Sequence, residues 1–252
     1  MTGKFVKLLL AATALNFCSL ANATIVEVTT NLGKFEINLY DQSTPVTVQN
    51  FLNYVSSGRY DGTVIHRSVP GFIIQGGGYV FNNALPLAHI TTNPSIVNEP
   101  KWSNVRGTVA MAKLGGNPNS ATSEWFINLG NNAANLDFQN SGFSVFGHIS
   151  SADMSVADAI AALPRFAFNG ISDLPLRNYS ADDRNDNKPL VADNFVVIES
   201  MVVVDARVDT VADQTLVPTT NSGASDGDGS SGGSANWLWL LSLGLLKLAR
   251  RK

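Results

Sequence analysis

Apolar and polar residues alternate through Val26-Glu27-Val28 and again through Phe35-Glu36-Ile37-Asn38-Leu39, the period of a strand with one buried face. Asn31-Leu32-Gly33 between them supplies a turn, so the two runs predict a hairpin. The period then changes. Thr44-Pro45 offers an N-cap and a first-turn proline, and Val48, Phe51, Leu52 and Val55 follow at i, i+3, i+4 and i+7, an amphipathic helix that ends on Gly58. Further strands are expected over 64–67, 72–75, 109–112, 125–129, 144–149 and 195–200, and a second helix over 153–163. Many short strands, two helices and no strand-helix alternation point to a mainly β domain, an antiparallel barrel. Residues 165–193 are long for a connection between a helix and the last strand, and read as a surface loop.

The two ends do not fit this pattern. Lys4 and Lys7 precede an apolar run, and Ala21-Asn22-Ala23 gives the small-x-small pattern of a signal-peptide cleavage site. Residues 1–23 therefore read as a removed leader and Thr24 as the first mature residue. The only cysteine, Cys18, falls in that leader, which suits an oxidising exported compartment. The domain is expected to run over 24–206. Residues 207–235, rich in Gly, Ser and Asp, read as a flexible linker.

Residues 236–252 form an apolar segment with a basic end, Arg250-Arg251-Lys252, whose 13 residues from Trp237 to Ala249 fall short of the roughly 20 that cross a bilayer. The order of a Gly232-Gly233 pair, a short apolar stretch and a basic cluster resembles the bacterial GlyGly-CTERM sorting tail. That resemblance implies attachment to the inner membrane until an intramembrane rhomboid-type protease cuts the tail; a permanent anchor is the alternative.

Charge narrows the partners. Six of the 17 basic residues lie in the two ends and none of the 20 acidic ones do, which leaves the remainder at a net −9. A nucleic-acid partner would want a basic face, so none is expected. The three histidines, His66, His89 and His148, are not at metal-ligand spacing, so no metal or cofactor is expected. Gly76-Gly77-Gly78 lacks the lysine and following helix of a phosphate loop, and no nucleophile-elbow pattern is present.

The chemistry concentrates in Ile65-His66-Arg67-Ser68-Val69-Pro70-Gly71-Phe72-Ile73-Ile74-Gln75-Gly76-Gly77-Gly78, where one arginine sits among apolar residues and glycines. Taken in order with Phe51-Leu-Asn-Tyr-Val, Tyr60-Asp-Gly-Thr, Asn98-Glu99, Arg106-Gly-Thr-Val-Ala-Met-Ala112, Ser120-Ala-Thr-Ser-Glu-Trp-Phe-Ile-Asn128 and Val145-Phe-Gly147, this stretch resembles the cyclophilins, most closely the periplasmic type of Gram-negative bacteria. The resemblance implies a closed eight-stranded antiparallel barrel capped by two helices. It also implies peptidyl-prolyl cis-trans isomerase activity without a cofactor, acting on proline-containing exported polypeptides in the periplasm, with the chain working as a monomer.

Carried over position by position, the resemblance makes Arg67 the catalytic group. Phe72, Ile73, Phe126 and Leu136 match an apolar pocket for the proline ring, and Gln75 a support for the arginine. Ala112 and Lys113 match a strand edge that pairs with the substrate main chain, and His66 borders the site. Three positions depart from the family: Glu124 replaces a glutamine, Asn135 an aromatic residue that closes the pocket, and Phe143 a histidine or tyrosine. These departures raise a second reading, a peptide-binding or chaperone module on the same barrel with weakened catalysis.

Overall fold

A computed structural model describes residues 24–207 and 216–219; the leader, most of the linker and the C-terminal segment lie outside the described residues. The first two strands, β1 (Ile25–Thr30) and β2 (Gly33–Leu39), form the predicted hairpin, with Thr30 opposite Gly33 and the Thr30 hydroxyl donating to the Gly33 carbonyl at 2.8 Å. Val26 and Val28 point inward from β1, and Phe35, Ile37 and Leu39 from β2, as the alternation requires.

Helix α1 (Pro45–Ser56) starts on the proline and buries Val48, Phe51, Tyr54 and Val55. Its cap is not the one expected. Thr44 makes no side-chain cap, and the Glu99 carboxylate from a distant loop instead accepts from the Thr47 amide at 2.9 Å and the Thr47 hydroxyl at 2.7 Å. A carboxylate there satisfies an orphan amide and complements the helix dipole.

The central strands follow as β3 (Arg67–Val69), β4 (Ile73–Gly76), β5 (Tyr79–Val80), β6 (Ala88–His89), β7 (Thr108–Met111) and β8 (Trp125–Asn128). A short helix, α2 (Ala133–Leu136), precedes β9 (Val145–Ile149), and the predicted second helix is α3 (Met154–Ala161), which buries Met154, Ala157 and Ile160. The chain continues through β10 (Arg165–Phe168), β11 (Ile171–Pro175) and α4 (Ala181–Asn185) to β12 (Ile198–Asp205).

Eight strands make one antiparallel sheet in the order β12-β1-β2-β9-β7-β8-β4-β3. The expected closed barrel is not formed: this sheet is curled but open, because β3 and β12 share no ladder. The residues before β3 that would complete closure are divided between two neighbours. Thr63 bridges Val80, Val64 bridges Val197, and the Ile65 amide donates to the Val196 carbonyl. Isolated bridges cross the gap where a continuous ladder was expected.

Strand alternation sends side chains to two apolar layers. Val109, Met111, Trp125, Ile127 and Phe146 join α1 and α3 in the main core, while Ala110, Phe126, Val145 and Ile73 join Leu136 and Phe143 in a second cluster on the other face. Both faces are covered, which is why β4, β7 and β8 are buried throughout.

Residues 165–193 are not the surface loop expected. Phe166 pairs opposite Leu174 in the β10–β11 hairpin, and β11 packs beside β3. Leu174, Leu176 and Tyr179 are buried with Val64, Tyr79 and Phe195 in a third cluster, and Ser180 with Asp183 forms a capping box on α4. Residues 216–219 lie along 101–103, where the Ser103 amide donates to the Val217 carbonyl at 2.8 Å and the Thr219 amide to the Lys101 carbonyl at 3.0 Å.

Candidate active site

Strands β3, β4 and β8 lie side by side, and their register sets Arg67 opposite Gln75 and Gln75 opposite Phe126. Residues directly opposite on neighbouring strands share a face, so these three side chains form a row. Ala110 of β7, opposite Phe126, extends the row, and Ile73, two residues from Gln75, falls on the same face. The sheet thus brings the arginine and the apolar cluster to one surface.

Arg67 is 5% exposed. Its Nη1 donates to the Gln75 Oε1 at a long 3.4 Å, and its Nη2 has no hydrogen-bond partner. Buried donors are normally paired, so a leftover guanidinium nitrogen is a donor with nothing of the protein's own to bind. Burial pulls the Arg67 pKa down while the Asp173 carboxylate of β11 opposes the shift; a guanidinium stays protonated regardless.

Gln75 is held from its other end. Its Nε2 donates to the Glu124 Oε2 at 2.7 Å, and the same oxygen lies 3.2 Å from the His66 Nε2. A carboxylate accepts only, so it turns the Gln75 amide nitrogen toward itself and the amide oxygen toward Arg67. Burial by itself would raise the Glu124 pKa, but the His66 charge, hydrogen bonds from His66 and Gln75, and a contribution from His89 outweigh it and hold the carboxyl below its ordinary value.

A depressed carboxyl stabilises the fold fully above its ordinary pKa and loses that effect as pH falls through the lower folded value. Glu124→Gln should therefore melt below the wild type at neutral pH, with the gap steady down to the ordinary carboxyl value of 4.5 and closing as pH falls below it. Thermal melts across that range check this, and a constant gap would contradict it.

The glycine run makes room for this arrangement. Gly77 has φ +81°, and a Cβ there would stand 2.8 Å from the Ser123 carbonyl oxygen and from the Trp125 ring. At Gly78 a Cβ would stand 2.6 Å from the Glu124 Cγ. No larger residue lets the end of β4 pass so close to Glu124 and Trp125.

At the apolar end, Ile73, Ala112, Phe126, Leu136 and Phe143 are buried in one cluster with Phe72 packed against it. Phe126 and Phe143 meet edge to face at 5.7 Å, a favoured geometry for aromatic pairs. Asn135 stands exposed on α2, outside the cluster. The Lys113 side chain turns inward to the 140–142 turn, and the preceding Ala112 amide donates to the Glu124 carbonyl at 2.9 Å.

Several residues that support the site carried no signal in the pattern of the chain. Asp137 is 1% exposed; its Oδ1 accepts from the Asn104 amide at 2.8 Å and its Oδ2 from the Ser103 hydroxyl at 2.5 Å. Asn132 donates to the Asn128 Oδ1 at 2.7 Å and to the Phe72 carbonyl at 2.9 Å. Together they tie the segment bearing Leu136 to β8 and to Phe72. The Tyr79 ring lies between those of His66 and His89, tilted to each, with centroids at 4.7 and 4.4 Å. Among the described residues no group of three or more His, Cys, Asp or Glu converges as metal ligands.

The family described as cyclophilin type peptidyl-prolyl cis-trans isomerase/CLD matches residues 25–178. A peptidyl-prolyl cis-trans isomerase of Acinetobacter baylyi is 39% identical over 175 residues, covering 68% of this chain and 89% of its own. Peptidyl-prolyl cis-trans isomerase A of Dickeya dadantii is 42% identical over 145 residues, covering 55% of this chain and 72% of its own. Among solved structures, a cyclophilin-type isomerase of Cryptosporidium parvum superposes with a TM-score of 0.51 at 22% identity, covering 72% of this chain and 97% of its own. The chain belongs to the cyclophilin-type peptidyl-prolyl cis-trans isomerases, and its activity is the interconversion of cis and trans X-Pro bonds.

Proposed function

We propose that the chain isomerises X-Pro bonds of exported polypeptides by non-covalent stabilisation of the twisted amide, with Arg67 as the catalytic group. The observation that carries this reading is the unpartnered Nη2 of a buried guanidinium in a row with Gln75 and Phe126.

A peptide C–N bond resists rotation by about 18–20 kcal/mol because the nitrogen lone pair is delocalised into the carbonyl. As the bond twists, the prolyl nitrogen becomes pyramidal and begins to accept a hydrogen bond. Arg67 would donate to it in the twisted state and not in the planar one, which is the differential binding that accelerates a reaction. Phe72, Ile73, Phe126, Leu136 and Phe143 would hold the proline ring so that the acyl side of the bond turns against a fixed ring. The main chain at Lys113 would pair with the substrate backbone, the Ala112 amide being already given to the Glu124 carbonyl.

The leader-like residues 1–23 support export to the periplasm, and residues 236–252 support temporary inner-membrane attachment with release by an intramembrane protease. In the described residues no helix is long and apolar enough to cross a membrane.

Titrating a labelled sample with an Ala-Pro peptide and following backbone amide shifts tests the site. Shifts should concentrate at Arg67, Phe72, Ile73, Gln75, Ala112 and Phe126. Shifts confined to another face would overturn the assignment. For the tail, mass spectrometry of the exported protein should find the Arg250-Arg251-Lys252 end missing; an intact end refutes processing.

A further inference from the structure

Lys113 occupies a position that offers its main chain to a substrate, yet the residue is only 4% exposed. Its Nζ donates to the Gly142 carbonyl at 2.6 Å and the Asn140 carbonyl at 2.9 Å, and lies 4.7 Å from the centre of the Phe143 ring. The two carbonyls converge because Asn140, Ser141 and Gly142 have φ of 53°, 63° and 74°, three successive left-handed residues. Two of them carry a Cβ, so the turn is unfavourable unless something compensates. An ammonium does so: it gives charge-assisted hydrogen bonds to both carbonyls and a cation–π contact to the ring that follows.

We propose that Lys113 is a positioning residue whose ammonium, seated in the 140–142 turn, holds Phe143 against Phe126 and so sets how tightly the site grips the proline ring. This rests on the pocket assignment above. Lys113 touches no reacting atom, and its side chain acts through Phe143 alone.

The surroundings make the grip sensitive to alkali. Burial lowers the Lys113 pKa to about 8. What faces the ammonium is the pair of carbonyls and the Phe143 ring. From the neighbouring loop the Asn98 amide donates to the Ser141 and Gly142 carbonyls at 3.2 and 2.9 Å, and the Glu99 carboxylate is engaged by Thr47. As pH rises through about 8 the amine loses the charge that carbonyls and ring attract, and the turn loosens.

The test uses the mature wild-type protein, Lys113→Met and Lys113→Arg with one Ala-Pro peptide. The dissociation constant is read by NMR shifts, and KM and kcat by exchange spectroscopy, between about pH 6.5 and 9. At pH 7 Lys113→Met should raise Kd and KM about tenfold while kcat moves about twofold or less, and Lys113→Arg should restore most of the affinity. Wild-type Kd should climb through about pH 8, and that of Lys113→Met should not.

A wild-type Kd flat across that range, or Lys113→Met binding as the wild type does, overturns the proposal. Should Lys113→Met fail to fold, the wild-type pH profile and the Arg variant still decide. A wild type that binds but does not isomerise sinks the catalytic reading, and Kd then decides this proposal by itself. A wild type that does not bind the peptide overturns both.

Discussion

Replacing Arg67 with alanine should lower kcat/KM for an X-Pro peptide by about a hundredfold to a thousandfold, the size expected when one preorganised donor to a transition state is lost. The loss should fall on kcat, because the donor matters only once the nitrogen becomes pyramidal, while KM follows the apolar cluster and changes little. Stability should not fall with it. Nη2 has no partner and the Nη1 contact is 3.4 Å long, so removing the guanidinium leaves few groups unsatisfied and takes a charge out of a buried position. Kinetics beside a thermal melt separates the two effects. Equal rates for wild type and variant, or a rise in KM alone, would contradict the role given to Arg67.

Leu174→Ala should destabilise the whole domain by about 2–5 kcal/mol, the cost of emptying a fully buried leucine site. Leu174 is 0% exposed and clusters with Leu176, Phe195 and Val64, residues that bring together the β10–β11 hairpin, the segment before β12 and the segment before β3. For a chain of this length that is a melting temperature lower by roughly 5–15 °C, in a single cooperative transition. The alternative, a surface loop, predicts almost no change. Because Asp173 of the same hairpin acts on Arg67, the variant should also show a modest loss of activity at temperatures where it remains folded.

That segment shows where pattern reading stopped short. The β1–β2 hairpin and the two main helices were legible because their periods are clean and their turn residues conventional. Residues 165–193 carried equally good signals at closer range. Asn169-Gly170 lies between Phe166 and Phe168 on one side and Ile171 and Leu174 on the other, and both turn residues are left-handed, φ 45° and 89°, a pairing typical of two-residue hairpins. Ser180 with Asp183 is a capping box in plain sight. Length alone made the stretch read as a loop.

The barrel's open seam was not legible for a different reason. The sequence over 64–67 predicts a strand but not its partner, and Thr63 and Val64 divide their bridges between Val80 and Val197. Partner choice is a tertiary fact. The candidate site was legible as residue types on strands: Arg67, Gln75 and Phe126 could be named, but their common face depends on the register of three strands. The supporting layer of Asn104, Asn128, Asn132 and Asp137 was hidden, since polar residues in connecting segments or at a strand end look like solvent-facing ones until burial is known.

The most direct test of the account is two-dimensional exchange NMR on an Ala-Pro peptide with substoichiometric mature protein in the presence of a metal chelator. Uncatalysed exchange takes tens to hundreds of seconds. Exchange should speed up in proportion to the protein added and be unaffected by the chelator, because Arg67 and the groups around it all belong to the chain. Exchange at the uncatalysed rate, or acceleration that the chelator abolishes, would contradict it.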